Sequence, residues 1–276
     1  MPLKYHGIFL LFAVSVMTGA IIGCDMFGSD GNGYGTTSPI KGKINFDVKE
    51  GYVHPNDVSE PKIMLFLQTE TIYPCCNYCI EARIRRVDEK LRLDILHIYK
   101  PDICLTATGP AKSRHLLDLP VGEFEFQISY SGHIDRYRLF ITEKSIRLDP
   151  VEAGFTSPMS TLSWRYPRNS FAYVCGTTTE TTWIYSDFYD SLLTIPNVTA
   201  YEFPDSGVIP YPDSSDGHWN NENSKFFLYK TESDYDAAGR LLQTYSWQTI
   251  SDYKGVSIYL INYRNRRFMS WKFANQ

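Results

Sequence analysis

The sequence predicts a mainly β protein. An antiparallel β-sandwich over residues 44–150 is expected to precede an α+β domain over 155–276 that closes with an antiparallel meander. Three observations carry this expectation. Apolar and polar residues alternate in short runs, the two-residue period of a half-buried strand. Aromatics make up 15 % of the 276 residues and include 20 Tyr, a bias that pleated sheets accommodate. Gly, Pro, Asn and Asp punctuate the runs at the close intervals of a sandwich. With 43 % hydrophobic and 21 % charged residues, the chain has the means to bury a core. A net charge of −4 offers no electrostatic footprint for nucleic acid.

Residues 1–23 read as an address. Lys4 precedes an apolar and small-residue run from Gly7 to Gly23, the layout of a secretory signal. The run is short for a permanent span, which needs about 20 apolar residues. Its exit, Ile21-Ile22-Gly23-Cys24, resembles the lipobox of bacterial lipoproteins. That resemblance implies cleavage before Cys24, a diacylglycerol on its thiol and acylation of its new amine. Multiple acyl chains, at about 0.8 kcal/mol per buried CH₂, give stable anchoring. Residues 24–43 are rich in Gly, Ser, Thr and Asn and read as a flexible tether with a root-mean-square span of roughly 25 Å.

In the sandwich, the alternating runs are Lys62–Leu67, Ile80–Arg86, Leu91–Ile98, Phe124–Ile128 and Tyr137–Ile141, followed by Ile146 and Leu148. Leu116 to Phe126 reads strand, Pro120–Gly122 turn, strand. It resembles the late-strand corner of immunoglobulin-like extracytoplasmic domains, which implies a spacer or binding module and no catalysis. Gly154, Ser157 and Pro158 mark a boundary.

All five Trp follow that boundary. Phe171–Val174 reads as a strand. Ile184, Phe188, Leu192 and Ile195 trace one helical face that Pro196 ends. Residues 196–224 read as a long loop. Phe226–Tyr235 and Leu241–Ile250 are expected as strands around a turn at Asp236–Gly239, because Tyr235 to Leu241 is similar to the tyrosine–aspartate repeat of bacterial surface and toxin shells, where that stretch is a hairpin. A helix through Ala238, Leu241, Leu242 and Tyr245 is the competing reading. Gly255–Ile261 and Arg267–Phe273 form a last hairpin around Arg264-Asn265-Arg266.

Chemistry-bearing residues fall into four groups. Cys75, Cys76, Cys79 and Cys104 cluster in the first body. Cys76-x-x-Cys79 supplies one zinc knuckle, but the second is missing, and outside the cytoplasm thiols oxidise. A disulfide is therefore expected, with Cys79–Cys104 the favoured pairing. Cys175 stands alone, and a Cys175–His218 pair is the one nucleophile arrangement the second body offers. Asp213 and Asp216 give the long loop an acidic cluster, and Asp187 and Asp190 lie on the helix. Trp183, Trp219, Trp247 and Trp271 either fill a β-core or make a stacking platform. Trp219, in a polar loop, is the one expected to be exposed and to contact a ligand together with Asp213 and Asp216.

No metal, cofactor or phosphate-loop motif stands out, and no catalytic residue is assigned. The expected function is that of a lipid-anchored protein of the bacterial cell envelope. It is tied to the membrane through its N-terminal lipid and acts as a binding or assembly module for an envelope protein or glycan. An envelope hydrolase with its site in the second domain is the alternative.

Overall fold

The computed structural model describes residues 36–105, 107–212 and 220–273. The first body contains β1 (Thr36–Ser38), β2 (Ile44–Gly51), β3 (Lys62–Tyr73), β4 (Cys79–Val87), β5 (Lys90–Lys100), β6 (Gly109–Leu116), β7 (Gly122–Tyr130), β8 (His133–Ile141), β9 (Ser145–Glu152), β10 (Thr156–Pro158) and β11 (Leu162–Trp164). The second contains β12 (Ser170–Thr177), α1 (Trp183–Leu193), β13 (Thr199–Tyr201), β14 (Asn220–Asn221), β15 (Lys225–Leu228), α2 (Glu232–Gln248), β16 (Ser257–Asn262), β17 (Arg267–Met269) and α3 (Ser270–Phe273). The chain is mainly β, as its periodicity predicts.

The first body is one ladder, in the order β10-β2-β3-β6-β4-β5-β7-β8-β9-β11, with β1 beside the end of β5. The alternating apolar residues, from Phe46 and Leu65 to Phe126 and Leu139, point into a single core. To close that core the sheet curls. Phe46 of β2 meets Phe126 of β7 and Tyr137 of β8, with ring centres 5.9 and 5.0 Å apart. Those strands lie five and six places further along the ladder. Residues 159–161 connect its two ends, since β10 lies beside β2 and β11 beside β9, and β2 and β9 approach each other across the closure.

The first body therefore runs to Trp164, past the boundary at 155 that the sequence suggests. The Gly154 turn is internal to it. The buried Asp135 carboxylate accepts the N–H groups of Gly154 (2.9 Å), Phe155 (3.1 Å) and Thr156 (2.7 Å) and the Thr156 hydroxyl (2.6 Å). Four donors on one carboxylate pin this turn to β8 and return the chain to the sheet.

The second body is a sheet in the order β13-β15-β12-β16-β17, with β14 paired to the end of β12. α1 and α2 cover one face, and the segment through Phe203, Ile209 and Tyr211 packs on the other. Buried on both faces, the central strand β12 is a nearly continuous apolar run. α1 buries Ile184, Phe188 and Leu192, the face expected from their spacing.

The C-terminal meander needs correction. Residues 232–248, read as the end of one strand, a turn and another strand, form the helix α2. Thr231 and Asp234 make a reciprocal capping box, with the Asp234 carboxylate 2.7 Å from the Thr231 N–H. Tyr235, Ala238, Leu242 and Tyr245 then share the buried face. The turn residues Asp236 to Gly239 sit inside the helix. Gly239 is there because a Cβ at that position would lie 2.5 Å from the Phe268 ring of β17. The final hairpin, β16–β17 around Arg264-Asn265-Arg266, forms, but its second strand ends at Met269, and Ser270–Phe273, expected as its continuation, is the helix α3.

Register gives the molecule two poles. The start of β2 pairs with the end of β3, which pairs with the start of β6. The start of β4 and the end of β5 lie at that same end, and there β1 enters. This entry pole carries the bridge Cys75–Cys104, with Cα atoms 5.4 Å apart. The favoured Cys79–Cys104 pairing is thus corrected. Cys79 opens β4 within the ladder, while Cys75 lies in the preceding turn, where it faces the segment bearing Cys104.

At the opposite end of the ladder the two bodies join. The buried Glu50 carboxylate accepts Arg165 Nε at 2.8 Å and the Tyr166 N–H at 2.7 Å. The Tyr52 hydroxyl donates to the Tyr263 carbonyl (2.9 Å), and Asn265 Nδ2 donates to the carbonyls of Pro55 (2.8 Å) and Asp57 (3.0 Å).

Candidate functional site

The interface occupies the turn between β16 and β17. The start of β16 therefore lies at the far end of the second body, where Gly176 at the end of β12 pairs with both Ser257 and Asn221. Two helix ends reach the same place. α1 begins there, directly after β12 and a single 3-10 turn. α2 starts at the interface end, where the Tyr235 hydroxyl donates to the Arg266 carbonyl at 2.8 Å. Its 17 residues then carry the chain about 25 Å back toward the far end. There the Tyr245 hydroxyl donates to Asp187 of α1 at 2.7 Å.

This far end displays aromatic side chains. Trp183 is 43 % exposed, Trp247 50 %, Tyr253 43 % and Trp271 45 %. Each is held in place. Trp183 precedes the buried Ile184 and falls off the core face of α1, where the Tyr253 ring meets it edge-on at 5.9 Å. The Trp247 indole donates its N–H to the Phe273 carbonyl at 2.9 Å, which ties α3 to the end of α2. Trp271 stacks on Tyr259 at 6.4 Å. Half-exposed rings on fixed supports offer apolar faces and little rotamer entropy to lose, which suits recognition.

The residues flagged in the sequence separate accordingly. Trp219, Asp213 and Asp216, together with His218 and the lipidation residue Cys24, lie outside the described residues. β14, at Asn220–Asn221, pairs with the end of β12 and so lies at the aromatic end. Trp183, Trp247 and Trp271 stand there too, whereas Trp164 belongs to β11. Tyr253 was missed. It follows a short 3-10 turn, and nothing in its neighbours distinguishes it from the many core tyrosines.

Cys175 is buried behind this end, between the sheet and the helices. Burial pushes its thiol up to about 11, although the Tyr173 hydroxyl beside it acts in the opposite direction. A nucleophilic cysteine requires the reverse. Burial likewise raises the Tyr173 and Tyr245 phenols, and raises that of Tyr185 to about 12. Asp187 is engaged by Tyr245. Cys76 and Cys175 are free thiols, the first exposed. Among the described residues no group of three His, Cys, Asp or Glu side chains is disposed to hold a metal. No family model, curated protein or solved structure matches this chain.

Proposed function

We propose that the chain is a lipid-anchored protein of the bacterial cell envelope that acts as a binding or assembly module. It is held at the membrane through Cys24 and presents the aromatic end of its second body to an envelope protein or glycan. The single observation that carries this reading is the polarity of the fold. The chain enters the first body at one pole, and Trp183, Trp247, Tyr253 and Trp271 stand at the far end of the second. Between them lies the curled sheet, where β3 alone, 12 residues at about 3.3 Å each, spans ~40 Å.

The first body serves in this reading as an immunoglobulin-like spacer. The packing of opposed faces around Phe46 favours that assignment, while the unbroken ladder departs from two separate sheets. The buried, proton-holding thiol of Cys175 weighs against a cysteine hydrolase.

Two measurements test the proposal. A palmitate analogue should label the wild type and leave Cys24→Ser unlabelled and released from the membrane; equal labelling overturns the anchor. A photo-crosslinking residue at position 183, 247 or 271 in intact cells should trap one partner species that the same reporter at Arg92 or Arg138 of the first body does not. Equal trapping from both bodies overturns the assignment of recognition to the aromatic end.

A further inference from the structure

We propose that Cys75 and Cys76 compete for Cys104, so that the entry pole carries an internal thiol–disulfide exchange switch. Two independent clamps hold residue 104 against the turn that contains Cys76. The first is the disulfide to Cys75. The second is Asn77, whose Nδ2 donates to the Ile103 carbonyl at 2.7 Å and whose Oδ1 accepts the Leu105 N–H at 3.3 Å. Cys76 lies between the clamped residues. One peptide step of about 3.8 Å separates its Cα from that of Cys75. Its Cα is therefore no more than about 9 Å from that of Cys104, and a bridge forms at about 7 Å or less. A shift of the turn by about 2 Å or less brings the second cysteine into range.

No strand ladder fixes the turn. It falls between the end of β3 at Tyr73 and the start of β4 at Cys79, outside both strands. Beneath Cys76 is Gly109, whose missing Cβ would sit 3.1 Å from that of Cys76. Accessibility favours the attack as well. Cys76 is an exposed free thiol, Cys104 is exposed, and Cys75 is buried.

The step balances without an oxidant. The Cys76 thiolate attacks Cys104 Sγ. The Cys76–Cys104 bond forms as the Cys75–Cys104 bond breaks, and the electron pair leaves on Cys75 Sγ, which takes up the proton that Cys76 gave up. One disulfide and one thiol are present before and after. The product holds its free thiol in the core at Cys75 and moves the turn by one residue at the pole where β1 joins β5.

The full chain is incubated at about pH 8.5, where thiolate is abundant, with no added redox reagent. It is quenched with acid, alkylated under denaturing conditions and mapped by fragment ions that separate positions 75 and 76. Over minutes to hours, species with an alkylated Cys75 and a Cys76–Cys104 bridge should accumulate to a steady fraction. Cys175, a free thiol, is alkylated throughout, and alkylation of Cys76 with none of Cys75 at every time overturns the proposal. A second arm does not depend on that rate: in Cys75→Ala, Cys104 should resist alkylation, and in Cys75→Ala/Cys76→Ala it should be alkylated. Cys104 alkylated in the single variant, or protected in the double one, sinks the switch.

Discussion

Single residues in this molecule are set by what surrounds them, and their chemistry is testable at that scale. The two free thiols make a matched pair. Cys76 is exposed, while Cys175 is buried and its thiol raised to about 11. Iodoacetamide should therefore label Cys76 in the native protein at least about tenfold faster than Cys175, and the two should converge in denaturant. Comparable native rates would place Cys175 in an open site and revive the hydrolase reading.

Asp94 gives a prediction about acid. The Ser129 hydroxyl, 2.5 Å away, is the main cause that holds its carboxyl down to about 2, and Arg85 and Arg92 add to it. A carboxyl depressed in the folded state stabilises above its unfolded value and loses that contribution as pH falls. Stability measured by urea midpoint should thus drop between about pH 4 and about pH 2 in the wild type, and Asp94→Asn should flatten that limb. An unchanged limb in the variant would mean other carboxylates dominate. Neither environment was legible in the sequence, because burial and cross-strand neighbours are products of the completed sheet. Asp94 meets Ser129 only when β5 and β7 pair in parallel, a non-sequential pairing that periodicity does not encode.

At the scale of elements, local pattern served well wherever one face was buried, and failed where two readings shared the same residues. Strands β3, β4, β5, β7, β8 and β9 and the face of α1 follow directly from apolar spacing, since a shifted register would put charge into the core, whereas β6 ends at Leu116, where a strand was expected to begin. The segment from Tyr235 to Tyr245 supports either a hairpin or a helix. The capping box at Thr231–Asp234 and the fit of Gly239 under Phe268 decide for the helix. The capping residues were visible in the sequence, but Phe268, far along the chain from Gly239, was not visibly a neighbour. Gly239→Ala tests the point. On propensity alone it gains about 1 kcal/mol, because Gly is a poor helix residue. Against that stands a Cβ at 2.5 Å from an aromatic ring that must move. Overpacking costs about 1–3 kcal/mol, so the substitution should be net destabilising, with the near-ultraviolet signal of the second body altered. A variant more stable than wild type would show that Phe268 yields freely and that α2 is held by its cap and core face alone.

The whole molecule depends on a junction that no local pattern announces. Arg264-Asn265-Arg266 reads as a hairpin turn, and it is one, with Asn265 in the left-handed region at φ 65°. The same asparagine also bonds to the first body through Pro55 and Asp57, more than 200 residues earlier in the chain. Glu50 makes the reciprocal connection, from the end of β2 to the start of the second body. Such bonds couple the two cores, so perturbing one should be felt in the other. The Cys75–Cys104 bridge, with a sequence separation of 29, contributes about 3–4 kcal/mol in the chain-entropy account and belongs to the first body alone. Tryptophan emission, by contrast, reports mainly on the second body, which holds Trp183, Trp247 and Trp271. Reduction of the wild type should therefore lower the melting transition followed by Trp emission together with that followed by backbone signal, as one event. Asn265→Gly keeps the left-handed turn at no steric cost but removes the side-chain bonds, for a loss of about 1–3 kcal/mol. Combined with Glu50→Ala it should uncouple the bodies. Reduction would then still shift the backbone transition of the curled sheet, while the Trp transition stays where it was. If the Trp transition of the double variant moves with reduction as far as that of the wild type, the bodies communicate by a route other than Glu50 and Asn265. If the wild-type Trp transition ignores reduction altogether, the junction carries no coupling and the two cores melt as independent units.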